Sequence, residues 1–255
     1  MKDFLKPRIV ISKCIEFDAC RYNGQIISSD FVEKLKSFAE FIPICPEFEI
    51  GLGVPRDPIR VVSFEGDLKL IQPKTDADVT KNMVEFSNSF LDKLTDIDGF
   101  ILKSKSPSCG IKDVKINAGS GTPPKESKGS GFFGKAVLEK YPNLAIEDEG
   151  RLLNSRIKQH FLTKIYSLRR FREIKKAMSK KDLVEYQSYN KLLFGAYSQK
   201  ETRELGRIVA NMDKYPLEKI FQNYESHLYA LFDKPPKCSP NINILLHGFG
   251  YISKN

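Results

Sequence analysis

This sequence has no apolar run near the roughly 18 residues that a membrane-crossing helix needs. Its first residues, Met1-Lys2-Asp3-Phe4-Leu5-Lys6-Pro7, hold no apolar signal core. Together these absences lead to the expectation of a soluble, cytoplasmic protein. No CxxC pair occurs, which excludes the usual zinc-ribbon and ferredoxin spacings. Histidine is scarce: only His160, His227 and His247 are present. The zinc-deaminase signature, a histidine–glutamate motif with a CxxC, is missing as well. The five cysteines, Cys14, Cys20, Cys45, Cys109 and Cys238, are odd in number, which argues against a disulfide framework.

What is present is an ordinary globular balance. The chain has 255 residues, 41% hydrophobic and 29% charged, enough for a proper core in one large domain or two small ones. The net charge of +9 is unevenly spread. Residues 1–150 carry 21 Lys/Arg against 23 Asp/Glu, whereas residues 151–255 carry 20 against 9. A half this basic suits a polyanion such as nucleic acid, because phosphate neutralisation releases counterions. A solvated lysine-rich helical surface is the plainer alternative.

Residues 7–13 read as a short buried strand running into Cys14. Residues 29–40 read as a helix capped by Ser29, with Phe31, Val32, Leu35, Phe38 and Ala39 on one face. A second strand, at residues 41–44, runs into Cys45, although Pro43 favours a sheet edge. Residues 59–72 carry a hairpin signal around Glu65-Gly66-Asp67. Helical spacing of Val79, Met83, Phe86, Phe90 and Leu94 predicts a helix over 76–94. Residues 99–103 form a third strand, followed by Ser106-Pro107-Ser108-Cys109-Gly110. The segment 117–131, rich in Gly, Ser, Pro and Lys, reads as a mobile loop or lid. A short helix at 132–140 and a fourth strand at 144–146 complete this half.

This alternation predicts an α/β fold with a Rossmann-like, largely parallel sheet over residues 1–150. After Gly150 the strand signals stop, and Ile157, Phe161, Ile165 and Leu168 begin a long helical run. Residues 151–255 are therefore expected to form a smaller, basic α-helical domain.

Cys14, Cys45 and Cys109 each lie just past the end of a predicted strand. In an open parallel sheet those ends share one edge, where α/β proteins bind ligands. Converging thiolates suit zinc or an iron–sulfur cluster. A structural zinc wants four ligands, whereas a cubane held by three cysteines leaves one iron open as a Lewis acid. Unlinked core cysteines are the bland alternative. Polar residues flank each thiol: Arg21, Tyr22 and Asn23 after Cys14, Glu47 after Cys45, and Ser104, Ser106 and Ser108 before Cys109. A carboxylate there can move protons, and a serine can orient water or substrate.

The same segments resemble the thiouracil desulfidase family. The matching stretches are Ser12-Lys13-Cys14, Arg21-Tyr22-Asn23-Gly24, Cys45-Pro46-Glu47, Gly51-Leu52-Gly53-Val54-Pro55-Arg56 and Leu102 through Gly110. Lys191-Leu192-Leu193 and Arg203-Glu204-Leu205-Gly206-Arg207 resemble the second domain fused to it in longer members, which are linked to desulfidation of 4-thiouridine in tRNA. The resemblance implies a 4Fe–4S cluster held by Cys14, Cys45 and Cys109 with one open iron. It implies Glu47 as the catalytic acid and Ser106 as the catalytic serine. Cys20 and Cys238 match no ligand position and are expected to be structural thiols. Asn23 stands where the family usually has aspartate. Gln187, Asn190 and Tyr197 stand where the helical domain usually has histidines. The sequence stops where longer relatives continue into further helix, so a trimmed bundle is expected.

The implied activity is non-redox hydrolysis of a carbon–sulfur bond in thiolated uracil. In tRNA, Lys158, Lys164, Arg169, Arg170, Arg172, Lys175 and Lys176 are candidate phosphate contacts. The rival substrates are free thiouracil or a thiouridine nucleotide. A reading from another class is a non-catalytic RNA-binding or redox-sensing protein with a structural metal, in which Cys20 would close the site as a fourth ligand.

Overall fold

The computed structural model describes residues 4–119 and 127–236. Cys238 and His247 lie outside the described residues, as does the middle of the expected loop at 117–131. Two compact units emerge, Lys6–Asn154 and the described part of Ser155–Asn255 with Met1–Leu5.

The first unit is α/β, as the alternation predicted. Four parallel strands make its main sheet in the order β2-β1-β6-β9: Glu40–Ile44, Arg8–Ser12, Gly99–Leu102 and Ala145–Asp148. The inner strands β1 and β6 are almost wholly buried, which explains their continuous apolar runs. From β1 the chain moves outward to β2, then crosses back to place β6 on the other side of β1. That reversal is a topological switch point, the usual site of a ligand crevice. Pro43 sits on β2, the edge strand, where a missing N–H is tolerated.

The helix after β1 is shorter than expected. It spans Asp30–Leu35, and the Ser29 hydroxyl accepts from the Val32 N–H. The turn into β2 begins at once, and Phe38 is exposed rather than on the buried face. The four-residue helix α2 (Pro46–Glu49) follows β2 directly, with Cys45 at its N-cap and Pro46 in its first turn.

The hairpin signal at 59–72 corresponds to antiparallel β3 (Arg60–Phe64) and β4 (Asp67–Gln72). They belong to a second sheet, ordered β5-β4-β3-β7-β8, with β5 at Ala77–Asp78. Strands β7 (Val114–Ala118) and β8 (Lys128–Gly129) enter the segment read as a loop from both ends. Glycine content hid them. Gly119 is required because an added Cβ would lie 2.7 Å from the Ser63 carbonyl oxygen.

Helix α3 spans Thr80–Lys93. Its predicted stripe faces the core, Met83 buried and Val79, Phe86, Phe90 and Leu94 partly buried against it, and the stripe also takes in Ser87 and Leu91, both fully inside. Ser87 tolerates that position because its hydroxyl donates back to the Met83 carbonyl at 2.6 Å. Val10, Phe100 and Leu102 of the main sheet, Val61 and Leu70 of the second, Met83 and Leu91 of α3, and Phe133 and Val137 of α4 (Phe132–Lys140) share one core cluster.

The second unit contains helices α5 (Ser155–Lys176), α6 (Lys180–Tyr197), α7 (Gln199–Ala210) and α8 (Leu217–Leu231). Ser179 and Ser198 cap α6 and α7, accepting from the Asp182 and Glu201 N–H groups. Phe171 packs against Tyr186, Phe221 and Tyr224 in its centre. Buried polar groups there satisfy one another: the Tyr224 hydroxyl donates to Gln187 at 2.7 Å, and His160 pairs with Tyr197 at 3.2 Å. Burial, with Lys164 nearby, pushes the His160 imidazole down to about 4. Among the described residues, no helix is long and apolar enough to cross a membrane.

Candidate functional site

The C-terminal ends of three of the parallel strands, β1, β2 and β6, build one cavity of about 390 Å³. Cys14 comes two residues after β1, Cys45 directly after β2, and Cys109 in the turn that follows β6. All three line the cavity and all three are buried. Cys20, which matches no ligand position and is expected to be a structural thiol, lines it too. It is in hydrogen-bond contact with both Cys14 and Cys45.

Each thiol is placed by local backbone chemistry. Cys45 begins α2, where its carbonyl accepts from the Phe48 and Glu49 N–H groups. Cys109 sits in a tight turn held by Ser106, whose hydroxyl oxygen accepts from the Ser108 and Cys109 N–H groups at 3.2 and 3.1 Å. The first turn of α4 presses onto that turn: the Gly131, Phe132 and Gly134 N–H groups donate to the carbonyls of Gly110, Pro107 and Ser108. Only glycine permits this approach. A Cβ at position 134 would lie 2.3 Å from the Gly110 carbonyl oxygen. Gly134→Ala is therefore expected to cost roughly 1–3 kcal/mol through overpacking, read as a lower urea midpoint with an unchanged slope.

Cys20, Cys45 and Cys109 are hard to ionise as they stand. Burial pushes Cys109 up, against a hydrogen bond from Ser12 that favours its thiolate. The contact with Cys20, then burial, pushes Cys45 up. Cys20 is pushed up to about 11, mainly by its hydrogen bond with Cys14. A cationic centre reverses this, because thiolate–metal bonds replace thiol protons. Lys13, Arg21, Arg56, Lys103 and Lys105 also line the cavity, a positive surround for bound anionic groups.

Among the described residues, Glu47 is the one carboxylate that lines the cavity, and both of its oxygens are engaged. Oε2 accepts from Arg56 at 2.8 and 2.7 Å. Oε1 accepts from the Ser108 hydroxyl at 2.8 Å. Arg56 also donates to the Cys20 and Gly53 carbonyl oxygens at 3.0 and 2.8 Å. A separate network holds the β6 end. Glu149 accepts from Lys103 at 2.5 Å and from the Ser104 N–H and hydroxyl at 2.7 Å. Burial opposes the Glu149 charge, but these bonds outweigh it and hold the carboxyl below its usual range.

The expected site residues divide in space. Arg21, Tyr22, Glu47, Ser104 and Ser106 line the cavity beside the cysteines. Asn23 does not, and its side chain is tied to Gln25. Ser108 is fully buried beneath Glu47, so it holds the carboxylate rather than facing the cavity. Lys158, Arg169, Arg170 and Arg172 are half-buried on α5, and Lys164 is in the core. Arg169 pairs with Glu173, and Lys175 with Glu225 at 2.7 Å. Lys176 of that set is exposed, and the exposed positive charge extends to Lys181, Lys191, Lys200, Arg203 and Arg207. Arg56 ends the stretch Gly51–Arg56, and the resemblance assigns it no role. The acidic residues after Ile146 gave no signal that Glu149 returns to the site.

Among the described residues, no three His, Cys, Asp or Glu side chains are arranged to hold a single metal ion. Thiols around a cavity of this size, with no imidazole among its described lining residues, suit a polynuclear group, and thiolate is the usual donor to iron–sulfur clusters.

Fold and site together define a parallel α/β domain with a thiol-lined ligand cavity at its switch point. Residues 9–149 match the family model described as 2-thiouracil desulfurase, and the chain belongs to that family. Residues 191–255 match a second model, a protein of unknown function, DUF1722. The chain is 32% identical over 151 residues to the uncharacterized protein YbbK of Bacillus subtilis, covering 56% of this chain and 97% of that one. It is 30% identical over 93 residues to the uncharacterized protein YbgA of Escherichia coli, covering 36% of this chain and about half (55%) of YbgA. A solved structure titled [4Fe-4S]-dependent thiouracil desulfidase TudS aligns at 26% identity over 58% of this chain and 94% of its own, with a TM-score of 0.43.

Proposed function

We propose that this protein is an iron–sulfur-dependent, non-redox desulfidase that converts thiolated uracil to uracil and sulfide, with 4-thiouridine in tRNA as its substrate. The observation that carries the reading is the meeting of Cys14, Cys45 and Cys109 from three strand ends with Glu47 in one cavity. Membership of the 2-thiouracil desulfurase family supports it. Cys14, Cys45 and Cys109 would hold a 4Fe–4S cluster. That group supplies a soft Lewis acid, which prefers the sulfur of a thiocarbonyl to the oxygen of a carbonyl.

The chain's own residues do the rest. Glu47 takes a proton from the water that attacks the thiolated carbon and returns it to the leaving sulfur. Arg56 and Ser108 keep that carboxylate in place through its two oxygens. The Ser106 oxygen already accepts two backbone N–H groups, so its own O–H remains to orient water or substrate. Water's oxygen stays on the base and sulfide leaves, with no net electron transfer.

The test is iron and acid-labile sulfide in protein reconstituted without oxygen, followed by sulfide release from thiolated substrates. Roughly four iron and four sulfide per chain are expected for a cubane. One zinc and no sulfide would remove the open iron and leave a structural metal. The excess of 20 Lys/Arg over 9 Asp/Glu after residue 150 favours RNA over a free base. Apparent affinity for thiolated tRNA is therefore expected to fall with salt, log against log, by roughly 0.7–0.9 per phosphate neutralised. A flat response would leave free thiouracil or a nucleotide as the substrate.

A further inference from the structure

Among the described residues, three of the thiols at the cavity stand on stiff supports. Cys45 directly continues β2, Cys14 lies two residues past β1 with its carbonyl oxygen accepting from the Ile27 N–H, and the Cys109 turn is clamped by Ser106 and α4. Cys20 differs. It lies in an irregular stretch between β1 and the helix Asp30–Leu35, and belongs to no strand or helix. Two contacts to its carbonyl oxygen hold it over the cavity, one from Arg56 at 3.0 Å and one from the Cys45 thiol at 3.7 Å. Its side chain is 4% exposed and turned toward Cys14 and Cys45 rather than into the apolar core cluster. A thiol so placed is a soft donor beside three others, on a support that can shift without breaking the sheet.

We propose that Cys20 is a displaceable fourth ligand at this centre: it caps the iron that Cys14, Cys45 and Cys109 leave open, and yields that position to the substrate's sulfur. The proposal rests on the iron–sulfur reading above. As the cap forms, the Cys20 thiol gives its proton to water and makes one iron–sulfur bond. When substrate enters, that bond breaks, a bond to the thiocarbonyl sulfur forms, and the Cys20 thiolate recovers a proton. No electron changes hands. One soft ligand replaces another, so the exchange needs little net driving force, while water and oxygen are kept from the bare iron between turnovers.

The full chain and its Cys20→Ala and Cys20→Ser variants are reconstituted without oxygen, and iron, sulfide and circular dichroism are measured. Each is then exposed to ferricyanide, and the three-iron product is followed by electron paramagnetic resonance. All three proteins are expected to assemble the cluster, with both variants losing one iron at least about tenfold faster than wild type. Added 2-thiouracil is expected to bring wild type and Cys20→Ala to the same spectrum, the variant at a lower concentration because no cap competes. Equal rates of iron loss and equal 2-thiouracil dependence would overturn the proposal. So would failure of folded Cys20 variants alone to assemble, since Cys20 would then be a permanent ligand. If wild type also fails to bind roughly four irons, the iron–sulfur reading itself falls.

Discussion

Cys45→Ser is expected to leave the fold intact and to remove both the bound iron and the release of sulfide. The two effects separate because of where Cys45 stands. It is the N-cap of α2, yet its side chain makes no capping hydrogen bond. Serine is among the best N-cap residues, worth roughly 0.5–2 kcal/mol over a non-capping side chain. Thermal unfolding of the metal-free protein should therefore be unchanged or slightly raised. The ligand itself is lost, because a serine oxygen is a hard donor with little affinity for a thiophilic centre. Iron and acid-labile sulfide near zero, beside an unchanged melting curve, is the expected pair of results. A variant that keeps full iron content and turnover would take Cys45 out of the ligand set.

Glu47→Gln is expected to lower turnover by about 10²–10⁴-fold, the usual contribution of a positioned proton-transfer group, while iron content stays at the wild-type level. It should also destabilise the protein. The side chain of Arg56 is only 4% exposed, and Glu47 is its carboxylate partner. Removing one member of such a pair leaves a buried charge uncompensated, at a cost of roughly 3–5 kcal/mol. Adding Arg56→Met to Glu47→Gln is expected to restore most of the denaturation midpoint and none of the turnover. Recovery of turnover in the double variant would show that Glu47 serves only to neutralise Arg56.

Some of this architecture is legible in the chain because it rests on local pattern. Ile9, Val10 and Ile11, like Phe100, Ile101 and Leu102, are continuous apolar runs because both faces of an inner parallel strand are covered. Such runs end where the sheet ends, so residues just beyond them fall on its edge. That reasoning brought Cys14, Cys45 and Cys109 to one rim. It failed where composition masks pairing. Strands β7 and β8 run into a glycine-rich stretch and owe their existence to pairing, β7 with β3 and β8 with β7. Spacing was also too blunt for the three serines. Ser104, Ser106 and Ser108 alternate in sequence, yet one binds Glu149, one caps the Cys109 turn and one holds Glu47.

The sequence by itself determined the α/β class, the three thiols at strand ends and the concentration of positive charge after residue 150. These follow from run lengths, residue types and counts, which do not depend on distant partners. Tertiary structure alone decided that Arg56 locks Glu47, that Glu149 returns from β9 to hold Lys103 and Ser104, and that Cys20 joins the other thiols. It also decided which basic residues face water, leaving Lys158, Arg169, Arg170 and Arg172 of α5 half-buried and Lys176, Lys191, Arg203 and Arg207 exposed. Each of these depends on side chains brought together by strand order and loop closure, and neither is encoded in the spacing of neighbours along the chain.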